Sequence, residues 1–120
     1  MNTRALWTAI AVGSVLQLLM VVVGHSNPSV ANLFAVGGMG ISFLAGIIYG
    51  VLARGGSTGS RAIGGLVAGG VCAFIGIVVS YVLKDVTASI LVIGTASSAV
   101  TGAIGGFVGK LVTGGARSPA

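Results

Sequence analysis

Acid is what this chain most lacks. A single residue of its 120, Asp85, carries a carboxylate, and one histidine, His25, and one cysteine, Cys72, complete the usual site-building groups. One cysteine cannot close an intramolecular disulfide, and with no Cys/His cluster there is no metal site to expect. One His, one Cys and one Asp placed far apart in depth are not expected to supply a nucleophile with its base, so no catalytic residue is assigned and an enzyme is not expected. No cofactor site is expected either. Gly37-Gly38-Met39-Gly40 resembles a phosphate-cradling loop only superficially, because it lies in an apolar stretch and lacks the Lys-Ser/Thr end. Charge of either sign is scarce. Charged residues make up 6% of the chain, against about a quarter in a soluble domain.

What is present is apolar length. Hydrophobic residues make up 55% of the chain and the mean hydropathy is +1.12. A helix needs about 20 apolar residues to cross a hydrocarbon core. Ala5–Gly24, Val30–Leu52, Ile63–Leu83 and Val86–Val112 all reach that length. The expected fold is therefore all-α: one membrane domain over residues 1–120, a compact bundle of four transmembrane helices. The apolar run after Arg4 exceeds the 7–15 residues typical of a secretory signal core. It is read as an uncleaved first span.

The basic residues set an orientation. Arg4, Arg54, Arg61, Lys110 and Arg117 fall on one side of a four-span chain, and Lys84 beside Asp85 on the other. Positive charge stays cytoplasmic. Both termini are thus expected in the cytoplasm, with the chain in the cytoplasmic membrane of a prokaryote, and any homo-oligomer should be parallel. The basic residues stand singly and are not interleaved with aromatics, so the formal charge of +5 points to lipid headgroups and not to nucleic acid. Trp7, Tyr49 and Tyr81 read as interfacial anchors.

Glycine is abundant, with 22 residues, and many fall at helical spacing. Gly38, Ser42, Gly46 and Gly50 share one face of the second span. Gly64, Ala68, Cys72, Gly76 and Ser80 do so in the third, beside Gly65 and Gly69. Gly94, Ser98, Gly102 and Gly106 do so in the fourth. Small residues let helix backbones approach closely, and that packing drives association where lipid removes any hydrophobic force between helices. These faces predict glycine-zipper packing concentrated in spans two to four. The first span, with bulky Leu16, Leu18, Leu19 and Met20, is expected at the periphery. Sliding the second span onto the fourth lays Gly38 on Gly94, Ser42 on Ser98, Gly46 on Gly102 and Gly50 on Gly106, a pattern consistent with a duplicated hairpin or with chance in a Gly-rich chain.

Polar residues in the apolar segments are few enough to name. Gln17 lies in the middle of the first span, as interhelical glue or as a solute contact. His25, Asn27 and Pro28 form the outer loop, as a polar mouth or as a turn. Thr95, Ser97, Ser98 and Thr101 make the fourth span the most polar; hydroxyls there line a water-filled path or bond back to their own helix. Gln17, His25, Asn27, Thr95, Ser98 and Thr101 are the candidate polar pathway. In size and span count the chain resembles the small multidrug resistance transporters, but where they carry an essential glutamate in the first span this chain has Gln17. It also resembles the four-span fluoride channels broadly, without their Asn and paired Phe signatures. No residue roles are carried over.

Two functions are expected from these features. The first is a non-catalytic structural or accessory subunit of a homo-oligomeric or larger membrane complex, surrounded by lipid and packed through its small-residue faces. The alternative is a channel or facilitator for a small neutral or anionic solute.

Overall fold

The computed structural model describes residues 2–27, 29, 34–53 and 56–116. All regular structure among them is helical: α1 (Thr3–Ser26), α2 (Phe34–Leu52), α3 (Thr58–Val82) and α4 (Ala88–Ala116). Thr3–Ser26, Thr58–Val82 and Ala88–Thr113 are each long and apolar enough to cross a membrane, and the apolar part of α2, Val36–Leu52, is shorter. The start expected at Val30 lies outside the described residues, as do Pro28, Arg54 and Arg117. The third helix begins earlier than the apolar run suggested. Ser57 caps it by accepting from the Ser60 N–H at 3.1 Å, which draws Arg61 out of the expected loop and into the first helical turn.

Four polar contacts order the helices. The Asn2 side chain caps α1 by accepting from the Ala5 N–H at 3.0 Å, and the Asn2 N–H donates to the Tyr49 hydroxyl near the end of α2. Arg61, at the start of α3, reaches the ends of α2 and α4. At the opposite pole His25, closing α1, meets Asp85 in the α3–α4 turn. Neighbours in sequence therefore run up and down, with one pole marked by Arg61 and the other by Asp85.

Helices α2 and α3 lie at the centre. Helix α4 packs along both on one side and α1 along both on the other. Helix α1 buries one stripe: Ala5, Ala9, Ile10, Gly13, Gln17, Val21 and Gly24. Trp7, Val15, Leu19 and Val22 on its other faces are exposed. A Cβ on Gly13 would meet Cys72 Sγ at 2.8 Å, so small residues seat α1 too. Its peripheral place follows from having one buried face, not from bulk on all sides.

The glycine faces divide in two along their length. At the Arg61 half the backbones of α2, α3 and α4 touch. A Cβ on Gly46 would strike the Gly102 carbonyl, one on Gly50 the Gly106 carbonyl, one on Gly65 the Gly102 carbonyl and one on Gly106 the Arg61 carbonyl. A Cβ on Gly69 would meet Gly102 Cα at 2.8 Å. At the Asp85 half the same spacing meets side chains. Gly37 faces Met20 Sδ, Gly38 faces Gln17 and Met20, Gly76 faces Gln17, and Gly94 faces Ile77. Gly38 and Gly94 thus do not pair with each other's helix as Gly46 and Gly102 do. Side chains of Gln17, Met20 and Ile77 stand between the backbones, and the bundle opens toward this pole. Gly64 serves a different purpose: the ring of Tyr49 lies across it. Tyr49 is fully buried, correcting its reading as an interfacial anchor, whereas Trp7 and Tyr81 are exposed.

Candidate functional site

The opening between the helices is a cavity of about 540 Å³ that runs from Gln17 and Ser98 at mid-depth to Asp85 and Val86. Its floor is a buried polar cluster. The Gln17 Nε2 donates to the Gly38 carbonyl at 3.1 Å and to Ser42 Oγ at 3.4 Å. Ser42 passes the chain on, donating to the Gly69 carbonyl at 3.1 Å, and the Cys72 thiol donates to the same carbonyl at 3.4 Å. Gln17, Ser42 and Cys72 are buried, the last two completely. A buried amide left unpaired costs about 1–3 kcal/mol, and this chain of bonds fixes both the rotamer of Gln17 and which end of its amide faces Gly38.

Above the floor the walls alternate. Met20, Val21, Ile77, Ile90 and Ile93 are apolar, while Ser80, Ser97 and Ser98 bring hydroxyls. Ser80 Oγ is buried without a hydrogen-bond partner. Exposed Met39, Ile90 and Ile93 rim the cavity where it reaches the surface. At the mouth His25 Nδ1 lies 2.9 Å from Asp85 Oδ2, so the chain's one carboxylate already has a partner. Neither group is well buried, and a pair in such a setting contributes on the order of 0–1 kcal/mol.

The turn that carries Asp85 has a defined geometry. The Asp85 N–H donates to the Ser80 carbonyl and the Lys84 N–H to the Tyr81 carbonyl, both at 2.9 Å. This six-residue closure requires a left-handed residue in its fifth position. Lys84 fills it with φ 66°, where glycine would be the unstrained choice.

The residues proposed for a polar pathway scatter around this cavity. Gln17 and Ser98 line it, and His25 stands at its mouth through Asp85. Asn27 does not reach it: its Oδ1 accepts from the Ser29 N–H at 3.0 Å, the turn alternative. Thr101 bonds back to the Ser97 carbonyl at 2.8 Å. Thr95 sits instead in a shallow apolar groove between α3 and α4, with Leu66 and Phe74. Ser97, named with the fourth-span hydroxyls, lines the cavity, and Ser80, Met20 and Met39 do so without having been singled out for a site. Their spacing resembled ordinary helix faces, and only the splay of the helices gathers them.

Arg61 is the other residue the sequence undersold. It is 7% exposed. Its Nε donates to the Gly56 carbonyl at 3.1 Å, and Nη1 donates to the Gly50 carbonyl at 2.9 Å and to Thr113 Oγ1 at 2.8 Å. A guanidinium here fastens the C-terminal ends of α2 and α4, where the helix dipoles carry partial negative charge. It closes the pole opposite the cavity. Comparison of the chain with protein-family models, with curated proteins and with solved structures finds no match.

Proposed function

We propose that this is a non-catalytic four-span protein of the cytoplasmic membrane whose cavity faces outward and admits a small uncharged solute. The observation that carries the reading is the cavity between Gln17 and Asp85, lined by apolar side chains and hydroxyls, with its one charged group, Asp85, at the mouth beside His25 and none among the described residues at its floor. An ion placed there would lose its hydration without a counter-charge, which is costly. That favours a neutral solute over an anionic one. Orientation rests on the charges: Arg4, Arg61 and Lys110 at one pole belong in the cytoplasm, so the Asp85 pole and the cavity face out. The glycine faces act as zippers inside one chain. An accessory role in an oligomer drew on those same faces, but Gly46, Gly50, Gly65, Gly102 and Gly106 already meet backbone of the same chain. Lipid covers the exposed side chains of Val92, Val100 and Ile104.

Passage beyond the floor requires α2 and α4 to part where Gly46 faces Gly102. The test is solute flux into proteoliposomes by stopped-flow light scattering, with glycerol and urea as probes. Wild type should raise permeability several-fold over empty liposomes. Ser98→Val, which narrows the floor, should remove at least half of the increment. Thr101→Val should leave it unchanged, because that hydroxyl bonds to its own helix. Wild-type flux equal to that of empty liposomes would overturn the reading.

A further inference from the structure

At the floor of the cavity the Gln17 amide oxygen is left to accept a hydrogen bond, because its nitrogen is used by the protein. Both described bonds of the Gln17 side chain to α2 use its nitrogen. Its Oε1 lies 3.6 Å from where a Cβ on Gly38 would stand and 3.4 Å from where one on Gly76 would stand. Both glycines line the cavity, and among the described residues no donor reaches that oxygen. Rotating the amide by half a turn would set its oxygen against the Gly38 carbonyl, so the orientation is determined by the protein. One helical turn above Gly76, Ser80 Oγ is equally without a partner, on a residue 2% exposed. The buried Ser80 Oγ and the Gln17 Oε1 therefore share the α1–α3 side of one cavity.

The rest of the wall decides what can meet them. Met20, Val21, Ile77, Ile90 and Ile93 are apolar, so the body of an occupant is apolar too. Asp85, at the mouth, is held by His25, and no charge stands at the floor to compensate an ion. The volume of about 540 Å³ exceeds the roughly 30 Å³ share of one water many times over. Water alone would leave the apolar walls wet.

We propose that the cavity is a binding site for uncharged amphiphiles with a hydroxyl head, of the class of medium-chain primary alcohols, with the head donating to Gln17 Oε1, the Ser80 hydroxyl beside it and the alkyl chain along Met20, Ile77 and Ile90. This rests on the outward cavity proposed above but not on permeation through it.

The test uses the full chain in nanodiscs and a diazirine analogue of 1-octanol, with adducts located by tandem mass spectrometry. Adducts should concentrate on cavity residues such as Met20, Ile90 and Ile93, and excess 1-octanol should suppress them at least as well as a tenfold greater amount of octane or octanoate. Ser80→Ala, which removes a hydroxyl that has no protein partner and so leaves the fold intact, should lower the preference for octanol over octane by roughly two- to tenfold, the range that one neutral hydrogen bond spans. Gln17→Leu should abolish the preference. Ser97→Leu, filling the space, should remove cavity adducts while circular dichroism stays unchanged. Adducts spread over exposed Val92, Val100 and Ile104, or octane competing as well as octanol, would overturn the proposal. Cavity labelling with octanol preference but no glycerol or urea flux would uphold the site and reject permeation. Flux without cavity labelling would do the reverse.

Discussion

A methyl group added at Gly102 has nowhere to go. Its Cβ would strike the Gly65 carbonyl and lie 2.9 Å from Gly69 Cα, and backbone cannot swing aside as a side chain can. A Cβ on Gly40 meets nothing within 4 Å. Gly102→Ala should therefore destabilise the bundle by about 1–3 kcal/mol, as overpacking generally does. Gly40→Ala should stay within about 0.5 kcal/mol of wild type or gain slightly, since alanine is the better helix former. Unfolding in mixed detergent micelles measures both; equal effects would refute the packing described. Lys84 permits a gain instead. A non-glycine residue in the left-handed region costs about 1–2 kcal/mol, and Lys84 sits there with φ 66°. Lys84→Gly should stabilise by up to about 1 kcal/mol, part of the relief being lost to the freer unfolded chain, whereas Lys84→Ala should change little. That distinction was invisible in the sequence. Lysine beside aspartate in a short turn reads as an interfacial ion pair, yet Asp85 pairs with His25 from another helix.

The helices themselves were legible because their signal is local. Apolar runs long enough for a bilayer give α1, α3 and α4 nearly where hydropathy sets them, with ends shifted by caps at Asn2 and Ser57. How the elements are fastened was less legible. Arg61 looked like one of several basic loop residues; two of its three hydrogen bonds tie α2 to α4 at one pole, and the third holds the Gly56 carbonyl before α3. Hydrogen bonds to a charged group are worth about 1.5–3 kcal/mol each. Arg61→Met should destabilise by at least that much and speed amide exchange at 50–53 and 110–113, leaving exchange near Asp85 unchanged. Arg61→Lys should rescue little, because one ammonium cannot reach three acceptors that the planar fork spans. Uniform acceleration along all four helices would contradict a local fastening role.

On the scale of the whole molecule the test is sidedness. Thr3 and Ser26 are exposed at opposite poles, while Cys72 is buried. In a Cys72→Ser background, an impermeant thiol reagent applied to intact cells should label Ser26→Cys and spare Thr3→Cys; the opposite pattern would reverse the orientation proposed. What the sequence determined by itself was which segments are long and apolar enough for a bilayer and the stock of small residues, because each depends only on composition along one segment. What the tertiary structure decided was how one unbroken spacing is used. Gly38-Ser42-Gly46-Gly50 and Gly94-Ser98-Gly102-Gly106 repeat evenly, yet the Gly46 and Gly102 halves meet backbone and seal, while the Gly38 and Gly94 halves meet Gln17, Met20 and Ile77 and open. A glycine's spacing states that a neighbour can come close. Whether backbone or side chain fills that space depends on residues of other helices, and that difference separates the closed half of this bundle from its cavity.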